Sequence, residues 1–149
     1  MFGLKLLLNA VIILTNRWGL KMLFELDNQH TLLEIAHVGS FCGYKVSIYG
    51  GEGNIPHLHF YTENKKKNIY GCIRLDCSEY FDHGKHNARL NSKEKKIFTE
   101  WIKSKETPFK KFTDILTVWE YVCILWNENN PNYKFNYDQY TMPNYAELN

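Results

Sequence analysis

Two histidines one residue apart, His57 and His59, follow a glycine-rich turn in the stretch Gly50-Gly51-Glu52-Gly53-Asn54-Ile55-Pro56-His57-Leu58-His59-Phe60. With 57–61 as a strand, alternate side chains share a face, so both imidazoles point one way while Leu58 and Phe60 point the other. Two imidazoles about 7 Å apart along one strand face can converge on a single ion after rotamer choice. Neutral imidazole nitrogens bind Zn, Fe, Ni or Cu, so a divalent metal such as Zn, Fe or Ni is one reading of the pair. It needs a third ligand. The nearest candidates are His83 and His86 in Tyr80-Phe81-Asp82-His83-Gly84-Lys85-His86, between the last expected strand and the first expected helix, where ligands tend to lie. His57, His59 and His83 then form the metal set. Cys72, Asp76 and Asp82 are the further ligand candidates, and Asp82 or Glu63 could stand beside an activated water.

Two other readings use the same residues. The histidines can serve as cross-strand partners of Asp76, Tyr49 or Tyr61. Without metal, His57 or His59 could carry a proton while Arg74 clamps an anion. In either case the face bearing His57, His59, Tyr61, Arg74 and Asp76 is the ligand or partner site.

The elements that position this face can be read from the pattern. Residues 45–49 alternate, with Val46 and Ile48 on one side, and the glycines at 50–53 supply the loop before strand 57–61. After a charged turn at 63–68, residues 70–76 alternate again, and 22–26 is a further plausible strand. Val46, Ile48, Leu58, Phe60, Ile73 and Leu75 make one apolar surface that must be covered; Ser47, Tyr49, His57, His59, Tyr61, Tyr70, Cys72, Arg74 and Asp76 lie opposite. Two helices supply the cover. Asn91 caps the first, with Glu94 three residues later and a stripe of Ile97, Phe98, Trp101 and Ile102. The Thr117-x-x-Glu120 capping box opens the second, ended by Asn130-Pro131. The expected fold is α+β: an antiparallel meander of three or four strands with two main helices packed on one face.

Length and composition bound the rest. A chain of 149 residues fits one domain, with enough mass to bury a core without staples, so a bound metal would be functional rather than structural. Residues 22–130 form that domain, 1–21 an apolar N-terminal extension, and 131–149 an aromatic-rich tail that could wrap the domain or meet a partner. The apolar run at 1–14 is too short to span a bilayer, which takes about 20 residues, and no small-x-small cleavage site follows it. A net charge of +2 gives no bulk field for nucleic acid. Such contact would rest on local lysines: 65–67, or Lys93, Lys95, Lys96, Lys103, Lys105, Lys110 and Lys111, with rings nearby to stack bases. The four cysteines form no CxxC pair and read as reduced thiols of a cytoplasmic protein. Thiol catalysis by Cys72 or Cys77 would need an adjacent base. No Walker loop, dinucleotide fingerprint or nucleophile elbow is present.

Two resemblances follow from the histidine segment. Gly51, His57, His59 and Glu63 stand at G-x5-H-x-H-x3-E, similar to the first metal-binding motif of cupins, although position 70 is Tyr where that motif closes on Gly. Histidine-triad hydrolases share only His57 and His59, the third alternating position being Tyr61. A longer likeness runs over 41–130. Ile55-Pro56-His57-Leu58-His59-Phe60, an alternating strand, a helix with Glu100-Trp101-Ile102 and a Trp-rich helix ending Leu125-Trp126-Asn127 together resemble the small bacterial DUF4160-type proteins, with Leu58 in place of their usual Phe and a longer 103–116 connection. That resemblance implies a small intracellular accessory or regulatory protein of a bacterial or mobile-element system (phage, plasmid or toxin–antitoxin-like), acting by protein binding through its histidine-bearing face. The alternative expectation is a small metal-dependent enzyme centred on His57, His59 and His83.

Overall fold

The computed structural model describes residues 12–16, 19–26, 31–63, 68–105 and 116–149. Its frame is an antiparallel meander: β1 (Ile12–Asn16), β2 (Gly19–Leu26), β3 (Thr31–Phe41), β4 (Tyr44–Tyr49), β5 (His57–Glu63) and β6 (Asn68–Arg74) pair in chain order in one six-stranded sheet. The α+β meander with helices on one face is as expected, and the sheet is wider than the alternation suggested. Residues 12–16 and 19–21, placed above in an extension, have strand backbone and pair within it. The lysine run 65–67 and the stretch 106–115 with Lys110 and Lys111 lie outside the described residues, as does the side chain of Glu63.

Register bears out the assignment of faces. Val46 pairs with Phe60 and Leu58 with Ile73, while Ser47, His59 and Cys72 form one row across the opposite face. All four apolar members of these pairs are fully buried, together with Ile48 and Leu75. Gly71 stands opposite Phe60, and a Cβ built there would come within 2.3 Å of the Phe60 ring and 2.8 Å of the Ala88 carbonyl. Only glycine lets that ring lie across β6.

The helices seal the apolar face. In α1 (Ser92–Lys103) the Asn91 side chain accepts from the Glu94 N–H and Glu94 returns the bond to the Asn91 N–H, a capping box contributing about 1 kcal/mol. Phe98 and Ile102 are its buried stripe, with Ile97 and Trp101 packed half-buried beside them. In α2 (Val118–Asn129) a second capping box joins Thr117 and Glu120, and burial extends nearly around the helix: Val118, Trp119, Tyr121, Val122, Cys123, Leu125 and Trp126 are all inside. The reason lies in the tail. Phe135, Tyr145 and Leu148 pack into the same core, and the Tyr145 hydroxyl donates to the Arg74 carbonyl at 2.9 Å. Residues 131–149 therefore wrap the domain, with Tyr133, Phe135 and Tyr137 meeting Trp126, Asn127 and Trp119 of α2. Among the described residues no helix is long and apolar enough to cross a membrane.

The other sheet face is also covered. The connection from β6 to α1 folds back along the free edge of β6: Phe81 N–H donates to Cys72 O at 3.1 Å, Ala88 N–H to Tyr70 O at 2.9 Å, and Tyr80 bridges Ile73. These bonds satisfy edge groups that would otherwise face water. Their consequence is that His57 and His59 are 0% and 1% exposed.

Candidate metal centre

Three segments deliver the polar groups that meet on this face. The first is the loop between β4 and β5, where Gly51 and Gly53 take positive φ angles of 72° and 86° on either side of Glu52. That turn aims the Glu52 side chain back over the sheet, and the Glu52 N–H is fixed by the Asn130 side chain at the end of α2, 3.0 Å away. The second is β5. His57 donates from Nδ1 to the Ile55 carbonyl at 2.7 Å, which leaves Nε2 of the neutral ring as a lone pair aimed inward. Its ring is flanked by Trp126 of α2 at 5.2 Å and Phe81 at 4.7 Å, which fix its rotamer. The third is the covering loop, where His83 and His86 close a tight turn with Gly84 at φ 56° and an N–H to carbonyl bond of 3.0 Å. Both imidazoles stack at 5.0 Å and hang toward β5.

The result is a knot of donors. Glu52 Oε2 lies 2.6 Å from His57 Nε2, 3.0 Å from His59 Nε2 and 3.6 Å from His83 Nε2, and the Nε2 atoms of His57 and His59 are 3.1 Å apart. Cys72 Sγ is 3.2 Å from His59 Nδ1 and 3.4 Å from His83 Nε2. One ligand atom from each of His57, His59, Cys72 and His83 falls within 4.8 Å of the others, close enough to hold a metal ion. Tetrahedral zinc with bonds of about 2.0–2.1 Å sets its nitrogen donors about 3.3 Å apart, and the 3.1 Å between the Nε2 atoms of His57 and His59 lies near that value.

Electrostatics point the same way. Burial would raise the Glu52 pKa, but hydrogen bonds with His57 and His59 outweigh it and hold the carboxyl well below its usual range. Burial lowers the His59 pKa to about 4, only partly offset by Glu52, and lowers that of His86. Burial also pushes the Cys72 thiol up, helped by the charge of Glu52. His59, His86 and the Cys72 thiol, held toward their neutral forms by burial, thus stand beside one negative carboxylate. With the Nδ1 proton of His57 committed to Ile55, the 2.6 Å approach of Nε2 to Oε2 requires either a second ring proton, which makes the hydrogen bond that depresses Glu52, or a cation between the two atoms.

Among the residues singled out from sequence, the structure brings together His57, His59 and His83, with Cys72 and His86 beside them. Tyr49 packs edge-on against His59 at 4.3 Å, as the cross-strand reading expected, whereas Tyr61 stacks on Tyr70 at 6.3 Å and Asp76 does not meet the histidines. Asp76 is held by Arg74 in two bonds of 2.8 Å, and Glu79 approaches the same guanidinium at 3.4 Å. Arg74 is therefore neutralised rather than poised as an anion clamp. Asp82 pairs with Arg89 at 2.6 and 2.7 Å. The residue that sequence reasoning missed is Glu52. Its signal was an acidic residue between two glycines, five positions before His57. No protein-family model, curated protein or solved structure matches the chain.

Proposed function

We propose that the protein is a small metal-dependent hydrolase in which His57, His59 and His83 hold a divalent transition-metal ion, zinc first, through Nε2. The observation carrying this reading is the approach of three imidazole Nε2 atoms to one ionised carboxylate oxygen, at 2.6, 3.0 and 3.6 Å, in a site where His57 and His59 are dry. Three histidines leave a fourth position for water, whose pKa a zinc ion lowers to about 7. The ion would supply such an acidified water, and the Glu52 carboxylate would accept its proton as the oxygen adds to a carbonyl or phosphoryl centre. His83, 35% exposed, marks the side from which substrate reaches the ion. A cytoplasmic location accords with four thiols that are all unpaired. Kinship with the DUF4160-type proteins belongs to the same proposal, carried by Pro56-His57-Leu58-His59 and Glu100-Trp101. Because His57 and His59 present no surface, a protein partner of this face would have to meet its rim instead.

The test is metal content after dialysis without chelator, wild type beside His57→Ala/His59→Ala. Bound metal in the wild type and none in the double variant is expected, and a metal-free wild type that takes up no added zinc would overturn the proposal. Glu52→Gln should keep the metal and lose at least about 10²-fold in turnover of a chromogenic ester, the loss typical of removing a general base.

A further inference from the structure

We infer that the centre takes a second metal ion, bound by Cys72 Sγ, His86 Nδ1 and His59 Nδ1, with the His59 ring bridging the two ions. This rests on the metal-centre proposal, because His59 is shared. Its Nε2 faces His57 and Glu52 at 3.1 and 3.0 Å, while its Nδ1 faces Cys72 Sγ at 3.2 Å and His86 Nδ1 at 3.4 Å. The two nitrogens of an imidazole direct their lone pairs outward on different sides of the ring, so one ion cannot use both. The donors accordingly divide into two groups on either side of His59.

The contacts made on each side of His59 have the spacing of ligands of one ion. With Zn–S of about 2.3 Å and Zn–N of about 2.0–2.1 Å, tetrahedral geometry sets sulfur and nitrogen donors about 3.5 Å apart. The 3.2 Å from Cys72 Sγ to His59 Nδ1 lies close to it, and His86 Nδ1 is 3.4 Å from the same His59 nitrogen, near the roughly 3.3 Å between two zinc-bound nitrogens. His83 Nε2 stands between the groups, 3.6 Å from Glu52 and 3.4 Å from Cys72. Thiolate with imidazole is a donor set that favours zinc among the divalent ions available to cells. Binding at both nitrogens displaces the His59 N–H proton, and binding at sulfur displaces the Cys72 thiol proton; both leave to solvent. Cys72 is buried and His86, on the covering loop, is half-buried.

The experiment is a count. Chelator-stripped protein is saturated with zinc, freed of unbound ion and analysed, then titrated with cobalt(II) while the near-ultraviolet sulfur-to-cobalt band is followed. Two zinc ions per chain are expected, with the cobalt–thiolate band growing over one of the two equivalents. The Cys72→Ser/His86→Ala variant should keep one zinc and lose the band. One zinc per chain in the wild type overturns the second position, with or without a thiolate band, and leaves the first proposal standing. No zinc at all defeats both. The wild-type count decides the matter even if the variant does not fold.

Discussion

On one side of β5, Leu58 and Phe60 are sealed by two capped helices and a wrapping tail; on the other, His57 and His59 are sealed to the same degree by the half-exposed 76–90 loop together with the Glu52 turn, Tyr49 and Trp126. The physical terms differ. Each large apolar side chain removed from water stabilises the fold by about 1.5–3 kcal/mol, without regard to direction. Each polar group removed from water costs about 1–3 kcal/mol unless its partner is in place. An apolar face therefore pulls its cover onto itself, whereas over a face of imidazoles, thiol and carboxylate the edge of β6 has to fasten the loop by backbone hydrogen bonds. Such an arrangement weakens the fold unless a cation completes it. A cluster that local stability would not select is a mark of function.

Breaking the apolar face should have the larger effect. Phe60 lies against Phe41 and Tyr44 at 6.3 and 5.3 Å, and Phe60→Ala should cost about 3–5 kcal/mol in urea denaturation. That is a large share of the roughly 5–15 kcal/mol available to a domain, and the loss should be the same with or without zinc. A cost that zinc abolishes would mean the two faces are not independent.

The histidine face should respond instead to metal. Zinc at about 100 times its dissociation constant should add about 2.7 kcal/mol, raising Tm by about 5–10 °C. The rise should reverse with chelator, vanish in His57→Ala/His59→Ala and persist in Phe60→Ala. Equal shifts in wild type and double variant would place the zinc elsewhere.

How far sequence revealed each face follows from the same contrast. The two-residue period of 45–49, 57–61 and 70–76 decided which side chains look inward, and the register of Ser47, His59 and Cys72 follows from it. The caps at Asn91 and Thr117 were equally plain because a cap is local. The cover of the histidines was not, since 76–90 has no period and its path depends on backbone bonds to Cys72 and Tyr70. Glu52 was hidden for a related reason: its direction depends on two left-handed glycines and on Asn130, distant in sequence. Arg74 was misjudged although Asp76, two residues on, was in view. A strand that ends at Arg74 allows the chain to turn and bring the carboxylate back to the guanidinium.

That pair sharpens the comparison at its smallest scale, because it lies on the rim of the same face but is partly solvated. Burial would raise the Asp76 pKa, and the hydrogen bonds and charge of Arg74 outweigh it, so the folded value lies below the unfolded one of about 3.9. A depressed carboxylate contributes stability that is present above the unfolded value and is lost as pH falls through the folded value. Asp76→Asn keeps the shape and removes the charge. At pH 7 it should cost about 1 kcal/mol, the scale of a half-exposed ion pair. The gap to wild type should shrink as pH falls below about 4 and close once the folded wild-type carboxyl is itself protonated. Zinc content should not change, since the pair lies outside the cluster that could hold the ion. A gap that persists in acid would show that Asp76 acts through its hydrogen bonds rather than its charge, making the rim resemble the buried centre, where position matters more than ionisation.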